Sequence, residues 1–184
     1  SILMLTTFFG FSQKKELRSA EKRLDEGFYN EALDILSQVE GLISSSDQKY
    51  QAQYYYLLGW AEKGDNNFNN AIPNLRKAID LDKLNKYKQN AQVFIDQIEI
   101  ELVNSAVEDN KNEKFLSASK KLYDAYLINP DGTSNIDYLY FAASSSVNGK
   151  DYKLALEYYN MLKDMGYTGI VTEYFVTPVE TQIE

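Results

Sequence analysis

Neither cysteine nor histidine occurs among the 184 residues, so the side chains left to do chemistry are carboxylates, lysines, hydroxyls and 15 tyrosines. The missing thiol removes a cysteine nucleophile, any disulfide, iron–sulfur clusters and thiolate zinc sites. The missing imidazole removes the commonest general base, the commonest nitrogen ligand of metals and any Ser-His-Asp set. Acid clusters stand at Asp25-Glu26, at Asp80 and Asp82, at Asp96, Glu99 and Glu101, and between Asp131 and Asp137. Glycoside hydrolysis needs two carboxylates held across a cleft at a defined separation, and no spacing here provides that. Oxygen-bearing side chains alternate from Asp131 through Thr133 and Asn135 to Asp137, as in a calcium loop. Ile136 and Ala142, however, replace the glycine and the closing glutamate of such a loop, so the segment reads as a polar turn. No glycine-rich phosphate loop is present. The expectation is a protein with no catalytic residue, no metal and no cofactor.

Charge narrows the partners. Nineteen basic and 27 acidic residues give a net charge of −8, which disfavours a nucleic-acid backbone or an anionic membrane face as the main partner. The apolar run Ile2–Phe11 is too short to cross a bilayer, which takes about 20 residues. Gly10 and Ser12 place small residues three before and one before a junction ahead of Gln13-Lys14-Lys15, the pattern of a signal-peptidase site. Residues 1–12 are therefore expected to be a signal-peptide remnant, and the protein exported to the periplasm or the outer membrane of a Gram-negative envelope. The other reading makes residues 1–12 a hydrophobic helix packed on the rest, in which case the protein is cytoplasmic.

The chain repeats itself. A small residue recurs at Ala20, Gly59, Ala106 and Ala143, and twelve residues later at Ala32, Ala71, Ala118 and Ala155. An aromatic precedes each second alanine by three residues: Tyr29, Phe68, Phe115 and Tyr152. At 14% aromatic composition, four such hits in four arise by chance roughly once in 10³ to 10⁴. Large apolar residues follow the second alanine by four, at Leu36, Leu75, Leu122 and Tyr159. Offsets of 3, 4 and 7 put these positions on one stripe of a helix, and polar turns lie between the stretches.

This pattern resembles the tetratricopeptide repeat (TPR) family in four degenerate copies, near residues 14–46, 50–83, 86–130 and 134–167. The resemblance implies an all-α fold, a right-handed array of helical hairpins (an α-solenoid), over residues 13–167. It also implies a concave groove lined by the first helix of each hairpin. By register, the groove positions are Lys14, Leu17 and Glu21, then Tyr56, Trp60 and Lys63, then Ile100, Val103 and Val107, then Asp137, Tyr140 and Ser144. Tyr55 falls on a core position. The residues expected to bind a protein or peptide partner are Tyr56, Trp60, Lys63, Val103, Val107, Tyr140 and Ser144. Against this stands the reading in which Tyr56 and Trp60 pack on the next helix of the array. Glu21 argues against the family's clamp for a terminal carboxylate, which it would repel.

The copies also depart from the family. Their second alanines are 39, 47 and 37 residues apart, against a minimal repeat of about 34, and the surplus before copy three predicts a long, protruding helical arm. Arg23, Glu62, Asp109 and Ser146 stand where the family places an aromatic, which predicts looser packing in the first helices. Pro73 is expected in the first turn of its helix. The β-branched, aromatic stretch Gly169–Thr177 reads as a strand, and residues 168–184 as a β extension continuing past Glu184. The function expected is a non-catalytic envelope scaffold that binds an extended segment or helix of another protein. The alternative is the docking arm of a larger envelope enzyme or assembly.

Overall fold

A computed structural model describes residues 3–129 and 135–169. Among these, all regular structure is helical: α1 (Leu3–Asp25), α2 (Tyr29–Ser37), the one-turn α3 (Glu40–Ile43), α4 (Gln48–Gly64), α5 (Phe68–Leu81), α6 (Lys88–Lys111), α7 (Phe115–Ile128), α8 (Ile136–Asn148) and α9 (Tyr152–Asp164). The expected strand lies, but for Gly169, outside the described residues, as do positions 131–134 of the calcium-like loop. Helix α1 runs unbroken through the Ser12–Gln13 junction. Gln13 is buried and ties α1 to α3 and the stretch after it: its amide donates to the Leu42 carbonyl at 3.3 Å and accepts from the Ser46 hydroxyl at 2.8 Å.

The helices pack as consecutive pairs, α1 with α2, α4 with α5, α6 with α7 and α8 with α9, and each pair packs on the next. One turn serves all four pairs. Gly27, Asn66, Glu113 and Lys150 hold positive φ angles of 80°, 60°, 57° and 63°. The following residue donates its N–H to the carbonyl five positions back: Phe28 to Arg23, Asn67 to Glu62, Lys114 to Asp109 and Asp151 to Ser146, at 2.8 to 3.0 Å. This left-handed C-terminal cap satisfies carbonyls that the helix end would otherwise leave open. Each second helix then begins at the repeated aromatic, Tyr29, Phe68, Phe115 or Tyr152. The left-handed residues are spaced like the second alanines, so backbone and side chains carry one repeat.

Small residues let the paired helices approach. Ala20, Gly59, Ala106 and Ala143 are buried, as are Ala32, Ala71, Ala118 and Ala155. At Gly59 a β-carbon would stand 2.6 Å from Leu75 Cγ and 3.1 Å from the Ala71 carbonyl oxygen, so only glycine fits that approach.

Two apolar cores result, one running from α1 to Ala125 and Ile128 at the end of α7, and one from the end of α6 to α9. Helices α6 and α7 each contribute to both. Ala91, Ile95, Ile98 and Leu102 pack in the first, and Ala106 in the second. The protruding arm expected from the long third copy is thus a packed helix, because the i, i+4, i+7 stripe of Ala91, Ile95 and Ile98 finds α4 and α5 to bury against.

Two further expectations change. Pro73 is the sixth residue of α5, in its second turn. It withholds an N–H from the Asn69 carbonyl, and both residues are exposed, so water can serve that group. The positions lacking the aromatic are stitched by polar groups instead. Asn74 donates to buried Glu62 at 2.8 Å, and Ser117 and Lys121 both donate to buried Asp109. Ser146 shares a 2.7 Å hydrogen bond with Ser119, and Arg23 lies 3.2 Å from Glu31.

Candidate protein-interaction surface

Seven residues define the expected site, and the structure distributes them over three places. Tyr56, Trp60 and Lys63 stand one helical turn apart on α4, facing α6. The Tyr56 ring stacks on Tyr87 at 5.0 Å and on Phe94 at 5.9 Å, and Trp60 lies 6.0 Å from Tyr56 and 5.6 Å from Phe94. Lys63 reaches Glu101 on α6 at 2.8 Å and sits 6.0 Å from the Phe94 ring. These contacts bind α4 to α6. Tyr56 is only 5% exposed, and burial raises its hydroxyl pKa, a shift that a hydrogen bond with Asn90 partly offsets. Trp60 and Lys63 are half-buried.

The tyrosine run before them is placed differently from the register. Tyr54 and Tyr56 are the buried pair, and burial pushes the Tyr54 hydroxyl up to about 12. Tyr55, assigned to the core by register, is half-buried, with Lys77 donating to its hydroxyl at 2.8 Å. The reason is that α4 is covered on several sides, by α1, α2, α5 and α6. Leu17, a groove position by register, is wholly buried for the same reason.

Val103, Val107 and Ser144 come together. They line a slot of about 440 Å³ between α6 and α8, floored by Leu122 and Phe115 of α7. Each end of the slot is fastened by one bond between its walls. The Tyr138 hydroxyl donates to Glu99 at 3.3 Å, and the Ser145 hydroxyl donates to Asn110 at 3.1 Å. Between these ties Val107 is 47% exposed and Phe141, from the opposite wall, 51%. No lining side chain is charged, although a quarter of the chain is charged. Asn110, Ser144 and Asn148 add neutral donors and acceptors at the rim. Such a lining can desolvate an apolar side chain and hydrogen-bond the backbone that carries it, without the penalty of burying a charge.

Tyr140 lies outside this slot. Its exposed ring is 5.6 Å from Phe141, 6.3 Å from Tyr159 and 5.9 Å from Tyr167, an aromatic group at the α8–α9 end. Sequence reasoning missed Phe141. The signal was present, since Tyr138, Phe141 and Ser145 recur at i, i+3 and i+7 along the wall that faces α6.

No protein-family model, curated protein or solved structure matches the chain. Among the described residues, no helix is long and apolar enough to cross a membrane.

Proposed function

We propose that this chain is a non-catalytic interaction scaffold of the cell envelope, a right-handed array of TPR-like hairpins that binds a helix or extended segment of a partner protein. The uncharged slot between α6 and α8 carries the reading, with Val107 and Phe141 exposed on facing walls. Single exposed apolar residues are ordinary, but paired ones rimmed by neutral polar groups mark a binding surface. A partner would insert an apolar side chain between Val107 and Phe141 and hydrogen-bond its backbone to Asn110 and Asn148. The repeated left-handed turns and the alanine spacing support the array, and the small residues before Gln13 support export. The test is in-cell crosslinking and affinity purification of the full-length gene product, comparing wild type with Val107→Asp/Phe141→Asp. A partner caught by wild type and lost from an equally helical variant is the expected result. Retention of every partner by the variant overturns the assignment of this slot.

A further inference from the structure

A second concavity, of about 330 Å³, lies at the other end of the molecule, where α1, the start of α4 and the loop joining α5 to α6 converge. Its charge is opposite to that of the chain. Lys14, Arg18, Lys49, Lys83 and Lys86 line it, five of the 19 basic residues, against two carboxylates, Glu21 and Asp82. The local balance is 5 − 2 = +3, in a chain of net charge −8.

Among the described residues, neither carboxylate forms a salt bridge with the rim, although, after a hydrogen bond with Tyr87, the charges of both help to raise the Lys86 pKa. Asp82 is buried and turned to the backbone, accepting from the N–H of Tyr87 at 2.6 Å and of Lys88 at 3.0 Å. Glu21 accepts from the Gln53 amide at 3.3 Å. Among the described residues, Lys14, Arg18, Lys83 and Lys86 make no salt bridge. Lys49 makes one, 3.6 Å from exposed Asp47. Lys86 lies 4.8 Å from the Tyr87 ring. Lys14, Arg18 and Lys83, gathered by folding and without an ion pair among the described residues, cost stability through mutual repulsion unless a ligand uses them.

The wall is apolar as well as cationic. Leu84 is 75% exposed at the rim, and half-buried Tyr50 supplies ring surface. A bare inorganic anion makes no use of these groups. A long polyanion would leave the pocket onto a surface of its own sign and be repelled. The fitting ligand is short, carries a few carboxylates and has an apolar side chain among them.

We infer that this pocket binds an acidic peptide segment, its carboxylates on Lys14, Arg18 and Lys83 and an apolar side chain against Leu84. The site is separate from the α6–α8 slot and stands or falls independently of it.

The probe is a fluorescein-labelled Asp-Glu-Leu-Glu-Asp peptide, acetylated and amidated so that only side-chain carboxylates are offered, followed by anisotropy with the full chain. Saturable binding is expected, weakened about tenfold or more by Arg18→Gln/Lys83→Gln and by about 0.5 M salt, which shortens the screening length below 10 Å. Leu84→Ala should weaken it several-fold. Lys153→Gln/Lys163→Gln on exposed α9, and Val107→Asp/Phe141→Asp, should leave it unchanged. The inference is overturned by absence of saturable binding, by equal loss in the α9 control, or by loss in the slot variant. Full displacement by equimolar phosphate, or tighter binding of a single-stranded oligonucleotide, overturns it too.

Discussion

The ring of Tyr29 occupies the space that a side chain at Gly64 would need: a β-carbon there would stand 2.2 Å from Cδ1 and 2.5 Å from Cγ. Tyr29 opens the second helix of the first pair, and Gly64 closes the first helix of the next. Glycine here is an inter-repeat fit rather than a turn residue. Gly64→Ala should destabilise by about 1–2 kcal/mol, overpacking outweighing the gain in helix propensity. Tyr29→Ala in the same chain should cancel part of that loss. Urea unfolding of the four proteins of this cycle measures the coupling, and additive losses would mean that the ring swings aside freely.

Glu113 and Lys150 hold left-handed backbone that glycine holds at Gly27. A β-carbon in that region costs about 1–2 kcal/mol, part of which glycine's greater unfolded freedom takes back. Glu113→Gly and Lys150→Gly should each stabilise the fold by about 0.5–1 kcal/mol, while Gly27→Ala should cost about 1 kcal/mol. Thermal unfolding of the three variants checks the opposite signs.

Tyr56 and Phe141 should separate packing from binding. Tyr56 is enclosed by Trp60, Tyr87 and Phe94, so Tyr56→Ala should cost about 3 kcal/mol or more. Half-exposed Phe141 should tolerate replacement within about 1 kcal/mol, its loss showing in partner capture. Equal unfolding midpoints for the two variants would place Tyr56 on a free surface after all.

Two buried acids set opposite pH dependences. The Lys121 ammonium and the Ser117 hydroxyl hold Asp109 below the usual carboxylate range. Its contribution is therefore full above the unfolded pKa, about 3.9, and is lost as pH falls through the lower folded value. Asp109→Asn should be less stable than wild type at pH 7, and the gap should be smaller at about pH 3, below the unfolded value. Burial raises Glu62, with the Asn74 bond opposing it, so its charged form weighs against the fold at neutral pH. Glu62→Gln should be more stable at pH 7, and that gain should disappear on acidification below the unfolded glutamate value. Urea midpoints at both pH values test the two signs.

What could be read from the residue pattern divides by distance along the chain. Alanine and aromatic spacing is local, and it pointed to hairpins whose turns fall at Gly27, Asn66, Glu113 and Lys150. Register along first helices brought Val103, Val107 and Ser144 to one slot but put Tyr140 where Phe141 stands, because a one-residue offset turns a helical side chain by about 100°. The polar stitches were hidden in plain spacing: Glu62 and Asn74, like Asp109 and Lys121, are both twelve apart. The basic pocket was not legible. Its walls come from three segments, around residues 14–21, 48–53 and 81–87, and no local pattern says that they converge.

Helix α6 also decides how the molecule comes apart. Arrays held only by nearest-neighbour contacts fray inward from their ends. Here α6 and α7 each contribute to both cores, so the middle of α6 cannot open until each core has been given up. Amides between Ile98 and Ala106 should therefore exchange their hydrogens last, through global unfolding alone, while those of α9 exchange through cheaper local openings. A ligand at either end of the molecule would slow that last exchange, each according to its own occupancy, since both ends unfold through the same helices.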